Sequence, residues 1–230
     1  MYLSRVRVDL NGLSRETLFE IMGGEAYGAH QLLWRLFPEH QGPRPFLFRQ
    51  EMDEPEEGGA PRGLPLFYVL SDREPVPIPR LLETQCKPFA PALEAGDKLA
   101  FRLRANPTVA KSVAGKRGQR ADVLMAAKYP FEVGKERTSQ ACIEAMDEAA
   151  RGWLAERAEF WGFHLPVKPE VGAYRQHALP KDRGHPIRFS SVDYEGLLEV
   201  TEPGRLIEML AQGVGRAKAF GCGLMLLRRP

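Results

Sequence analysis

The sequence predicts an α+β protein made of two tandem ferredoxin-like βαββαβ domains. Three observations carry that reading. Each half opens on an alternating, strand-like segment; each half then contains a helical pattern followed by paired strand-like runs; and the segment KPFAPALEAGD, Lys87–Asp97, places two prolines and a glycine between them. The expected domains are residues 1–86 and 98–230, with 87–97 as the linker. Each would be a four-stranded antiparallel sheet with helices packed on one face.

In the first half, Tyr2–Leu10 alternates apolar and polar residues, and Ser14–Phe37 has helical spacing in two pieces broken at Gly23 and Gly24. Arg44–Met52 and Leu64–Ser71, rich in Phe, Leu, Val and Tyr, read as two strands. Pro75, Pro77 and Pro79 interrupt the chain before Arg80–Cys86, whose assignment is weak. The second half opens with a strand at Lys98–Ala105. Its longest helix is expected over Thr138–Trp161, capped by Thr138 or Ser139. Strands follow at Gly172–Ala178, Ile187–Val192 and Tyr194–Val200, then a helix from about Pro203 to Gln212 and a strand at Cys222–Leu227.

Hydrophobic residues are 43% and charged residues 27% of the 230, a balance that buries a core and falls outside the disordered range. No apolar run approaches the roughly 18 to 20 residues that span a bilayer, and MYLSRVRVDL is a strand pattern rather than a leader, so a cytoplasmic protein without a membrane partner is expected. Cys86, Cys142 and Cys222 are too far apart for a metal-binding pair and odd in number, which argues against a disulfide framework. No HExxH or paired Cys/His spacing occurs, so no metal or other cofactor is expected.

The net charge of +2 hides an uneven distribution. Glu51, Asp53, Glu54, Glu56 and Glu57 gather beside Gly58, Gly59, Pro61 and Gly63 as a solvated acidic loop. Lys98, Arg102, Arg104, Lys111, Lys116, Arg117 and Arg120 share a stretch with no acidic residue, a candidate phosphate-binding surface.

Three motifs offer chemistry. In AYGAHQLLWRLFP, a spacing of three puts Tyr27 and His30 on one helix face. His30 either packs in the stripe of Tyr27, Trp34 and Phe37 or exchanges a proton, for which its ordinary pKa of about 6.5 suits it. In FRLRANP, a strand would turn Arg102 and Arg104 to one face and Phe101 and Leu103 to the other. The two arginines are either a solvated face or guanidinium forks offered to a polyanion. Lys111, Lys116, Arg117 and Arg120, interleaved with Gly115 and Gly118, suit an element that orders against a duplex groove. In GVGRAKAFGCG, Gly213, Gly215, Gly221 and Gly223 serve either tight turns or close approach of backbone N–H groups to phosphates, with Arg216 and Lys218 in reach. His40, His164, His177 and His185 are weaker candidates.

MYLSRV, AYGAHQLLWRLFP, FRLRANP and GVGRAKAFGCGLMLL, in that order across nearly the whole chain, closely resemble the CasE family of CRISPR RNA endonucleases of type I-E Cascade, within the RAMP superfamily. The resemblance implies tandem ferredoxin-like (RRM-like) domains and a metal-independent endoribonuclease. It implies cleavage of CRISPR precursor RNA at the 3′ base of the repeat hairpin, by 2′-hydroxyl attack giving a 2′,3′-cyclic phosphate. Retention of the mature guide RNA beside other Cascade subunits is implied as well. His30 falls at the family's catalytic histidine and Tyr27 at its partner tyrosine; Arg35 occupies a position that differs among relatives. The basic segment after Asn106 matches the region that holds the RNA stem. The alternative is a non-catalytic RNA-binding scaffold subunit on the same fold, with His30 structural. The aromatic pattern usual in RNA-binding sheets of the RRM kind is missing, and no cysteine stands beside a histidine as a nucleophile would need.

Overall fold

The computed structural model describes residues 1–9, 14, 16, 26–52, 64–113, 116–179 and 186–230. The Gly23–Gly24 break, the acidic stretch from Asp53 to Gly63, Gly115 and His185 lie outside them, as do the side chains of Tyr27, Lys111, Lys116 and Arg117. The chain divides into two compact units. One comprises Met1–Pro91 with Ala217–Leu224, the other Ala92–Arg216 with Met225–Pro230.

In the first unit, β1 (Tyr2–Val8), β2 (Phe46–Met52), β3 (Pro65–Ser71) and β4 (Leu82–Pro88) form an antiparallel sheet in the order β2-β3-β1-β4. This is the strand order of a βαββαβ unit in which β1 and β3 run side by side. Alternation sends Val6 and Val8 of β1, Phe46 and Phe48 of β2, and Phe67 and Val69 of β3 into one core. Against that face packs α1 (Ala26–Trp34), which with the turn after it contributes Ala29, Leu32, Leu33, Leu36 and Phe37 at helical spacing. No helix occurs between β3 and β4 among the described residues. Pro75, Pro77 and Pro79 remove every second donor there and favour extended neighbours. The Val76 N–H instead donates to Leu36 O at 2.8 Å, which ties the extended segment to the end of α1.

In the second unit, β5 (Lys98–Ala105) lies between β10 (Ile187–Val200) and β11 (Met225–Arg228). The short β8 (Phe163–His164) and the longer β9 (Glu170–Leu179) both pair with β10. The reading of 187–192 and 194–200 as two strands is thus corrected to one. Asp193 sits inside it at a register shift rather than in a turn. The final strand starts at Met225, later than its pattern predicts.

The basic stretch after Asn106 forms a two-stranded hairpin, β6 (Thr108–Val113) with β7 (Lys116–Asp122). Asp122 then caps α2 (Val123–Lys128) by accepting from the N–H groups of Leu124 and Met125. The long helix α3 (Gln140–Ala158) lays Ala150, Trp153, Leu154 and Ala158 into the core with α4 (Pro203–Gln212) and the buried residues of β5 and β10. Tyr194 donates to Ala150 O at 3.1 Å, satisfying a phenol that is otherwise in apolar surroundings. Ser139 is the cap of α3, accepting from the Cys142 N–H.

Ser139→Ala is expected to lower the stability of the second unit by about 1 kcal/mol, the usual worth of a side-chain cap. A urea-unfolding midpoint followed by tryptophan fluorescence, which reports Trp153 on this helix, measures it.

Candidate functional site

The site is built around His30, which leaves the core face of α1 where the helix passes the start of β2. The ring is half-buried. One helical turn later, Trp34 Nε1–H donates to His30 Nε2 at 3.1 Å, with the two rings edge-on at 82°. Phe46 lies 6.1 Å from the imidazole and 5.6 Å from the indole, and Phe37 stacks on Phe46 at 5.1 Å. His40 stacks on Trp34 at 6.0 Å and bonds through Nε2 to Pro43 O. The predicted stripe of Trp34 and Phe37 therefore exists, but His30 stands at its edge.

Arg44, which sequence reading missed, precedes β2. Its Nε donates to Phe46 O at 2.6 Å and its guanidinium lies over the Phe46 ring, 5.7 Å from the centroid. Among the described residues no carboxylate pairs with it. Burial pulls its pKa down, and burial followed by the Arg44 charge lowers that of His30. His30 is accordingly held as the neutral ring, and because Nε2 accepts from Trp34 the ring's hydrogen is on Nδ1. A proline on either side of Arg44 and an arginine two residues before an apolar run were the only signals available.

The glycine motif divides between the units. Gly213 ends α4, its N–H donating to Met209 O at 2.8 Å with φ at 74°. Gly215, at φ 69°, packs beside the Trp153 ring, and Arg216 is exposed in the same unit. Residues 217–224 belong to the first unit. There a short 3-10 turn, Lys218–Phe220, packs on α1 and β2. Gly221 closes the turn in the left-handed region at φ 79°, where a Cβ would lie 3.3 Å from the Phe48 ring. Gly223 is also at positive φ. Lys218 is half-buried, and its pKa is lowered by that burial and then by Arg44. His30, Arg44 and Lys218 thus share one unit, with Arg44 the charge common to both shifts.

In the second unit the FRLRANP strand alternates as predicted, with Phe101 and Leu103 buried. Its arginines already have partners. Arg102 gives Nε and Nη2 to Glu195 at 2.8 and 2.7 Å, and Arg104 forms a two-pronged pair with Asp193 at 2.9 Å for each contact. Both acids face their arginines across the β5–β10 register, a pairing invisible before strand partners are known. Asn106 is buried and donates to Ser190 O at 2.6 Å, so the motif's end holds the sheet together. Lys111, Lys116, Arg117 and Arg120 are positions of the β6–β7 hairpin, and the Arg120 side chain is exposed. His164 is in β8; His177 stacks on Phe189 at 4.4 Å and bonds to Ser191 at 2.8 Å. Among the described residues no group of three or more His, Cys, Asp and Glu side chains is arranged to hold a metal ion. No described helix is long and apolar enough to cross a membrane.

Known proteins give this arrangement a context. A family model described as "CRISPR associated protein" matches residues 1–229. The chain is 31% identical over 209 residues to a protein of Thermus thermophilus named "CRISPR-associated endoribonuclease Cse3", covering 86% of this chain and 80% of that protein. It is 27% identical over 218 residues to the Escherichia coli protein named "CRISPR system Cascade subunit CasE", covering 94% and 98%. Its fold is similar to a solved structure of Thermus thermophilus Cse3 bound to an RNA representing a pre-cleavage complex. That likeness has a TM-score of 0.65 and 28% identity, over 99% of this chain and all of that one.

The electrostatics of the site have a direct readout. His30 is expected to titrate below the ordinary histidine value, and Arg44→Gln to raise its pKa without restoring it fully, because burial is the larger cause. A histidine-resolved NMR titration of both proteins checks the direction and the remainder.

Proposed function

The chain belongs to the CasE family of CRISPR-associated proteins, and from that premise we propose that it cuts CRISPR precursor RNA at the 3′ base of the repeat hairpin and retains the mature guide RNA as a Cascade subunit. The observation that carries the reading is the half-buried His30 ring, its Nε2 accepting from Trp34, on the unit that also carries Arg44 and Lys218. Cations around a titrating ring favour a phosphodiester over a divalent metal.

RNA brings its own nucleophile. The 2′-hydroxyl attacks the adjacent phosphorus, the new 2′-O–P bond forms as the bond to the 5′-oxygen breaks, and the products are a 2′,3′-cyclic phosphate and a 5′-hydroxyl. One group must take the 2′-hydroxyl proton and another must protonate the departing 5′-oxygen. His30 and Tyr27, three residues apart on α1, would divide those tasks. Arg44 and Lys218 would face the negative charge that grows on the phosphorane oxygens, where partial burial strengthens their effect. No step in this scheme requires a metal.

The RNA stem would lie on the basic hairpin and neighbouring positions, Lys111, Lys116, Arg117 and Arg120, with Arg216 as a further contact. Arg102 and Arg104 contribute less than a free pair would, since Glu195 and Asp193 already neutralise them. The glycine turn would bring Lys218 close to the phosphate. The cytoplasm is the proposed location, and residues 1–86 and 98–230 are the proposed structural domains, with the 217–224 segment completing the nuclease site.

Purified protein in excess EDTA is expected to cut the host repeat hairpin in a single turnover and to leave a cyclic phosphate end. His30→Ala should keep hairpin affinity while losing roughly 10² to 10⁴ in cleavage rate, the range of a positioned proton-transfer group. Tight binding without cutting by the wild type would instead favour the scaffold role. The double variant Lys116→Ala/Arg117→Ala should weaken hairpin binding and reduce the slope of log K against log salt by about one to two, as two phosphate contacts are lost. An unchanged slope would move the RNA off the hairpin.

A further inference from the structure

Trp34 is half-buried at the edge of the first unit's core, and its indole N–H is directed at a ring nitrogen of His30 rather than at a backbone carbonyl. That choice has chemical consequences. An N–H donor meets only an unprotonated nitrogen, so the bond selects the neutral ring with its lone pair at Nε2 and its hydrogen on Nδ1. Among the described residues Nδ1 has no other partner. Protonation at Nε2 breaks the bond and turns two donors toward each other. The indole therefore opposes the charged ring, in the same direction as burial and Arg44.

We propose that Trp34 is a positioning residue for RNA cleavage, fixing His30 in the neutral tautomer whose Nε2 lone pair is ready to take a proton. The proposal rests on the reading of His30 as a proton-transfer group and adds which nitrogen acts and what holds it. In the ground state the indole N–H occupies the lone pair. A ribose 2′-hydroxyl is the same kind of donor, so substrate binding exchanges one donor for another at a nitrogen already in the correct state. The proton then passes from the 2′-oxygen to Nε2 while Nδ1–H is retained, giving an imidazolium beside the phosphorane.

Other groups near the ring do not explain this selection. Arg44, from the segment before β2, acts on charge alone. Lys218, on the turn packed against α1, is a donor and feels Arg44 itself. His40 stacks on Trp34 and donates to Pro43 O. On α1 and the turn after it, Tyr27 lies three residues before His30 and Arg35 is exposed.

The test compares wild type, Trp34→Phe and His30→Ala. Phenylalanine keeps an aromatic ring beside Phe46 and removes the donor together with the pyrrole part of the indole. Long-range ¹H–¹⁵N spectra of wild-type histidine read the tautomer without any substitution, and Nδ1–H is expected for His30. In Trp34→Phe the His30 titration should move up by roughly half to one pH unit, the size of one neutral hydrogen bond lost from the unprotonated ring. The acidic limb of the single-turnover rate profile should move with it. An Nε2–H tautomer in the wild type, an unmoved titration, or a moved titration with an unmoved rate profile each overturns the role of Trp34. His30→Ala cutting at the wild-type rate overturns the underlying reading as well, and separates that failure from the others.

Discussion

The candidate site depends on one cation that has nowhere to discharge. Arg44 is anchored by its bond to the Phe46 carbonyl and by the face of the Phe46 ring, and no carboxylate of the described residues neutralises it. Burial first, and then the field of Arg44, make both His30 and Lys218 bind protons less tightly. A protein normally avoids desolvated cations of like sign. The retention of Arg44 and Lys218 together is understandable if an anion completes the cluster, because the same phosphate would face both. Stability given up in the free protein would return as affinity for the bound nucleic acid.

The rest of the first unit holds this cluster in place. The βαββαβ strand order brings β1 and β3 to the centre and leaves β2 at an edge, where Arg44 enters it. Phe46 serves three purposes at once: it joins the core through Phe37 and Phe48, carries Arg44, and walls the His30 ring. The 3-10 turn favours a glycine at 221, because the backbone there is left-handed at φ 79° and a Cβ would crowd the Phe48 ring at 3.3 Å.

How much was readable beforehand follows from which interactions are local. Period and capping lie within a short window, so α1, α3 with its Ser139 cap, and most strands were legible in the sequence. The spacing of three that puts Tyr27 and His30 on one helix face was legible, but it left His30 either a packed ring or a proton-exchanging one, and only the resemblance to the CasE family favoured the second. The β6–β7 hairpin was read only as a basic segment suited to order against a duplex groove, with no strands assigned, since its side chains do not alternate in hydrophobicity. Asp193 was read as a break, and only the cross-strand register explains it as the partner of Arg104. Arg44 was missed for the same kind of reason: its meaning lies in a histidine on another element and in a lysine far along the chain, and no local pattern encodes either.

The passage of residues 217–224 into the first unit bears on how the protein is made. A ribosome finishes β1 to β4 and α1 early, yet Lys218, Gly221, Cys222 and Leu224 arrive only after the whole of 92–216 has been synthesised. Until then the nascent chain exposes Phe48 without its cover and carries His30 without its lysine. The first unit therefore stays incomplete, and any product terminated before residue 217 lacks this segment. Completion of the first unit is deferred until residues 92–216 have been translated, a timing imposed by chain connectivity.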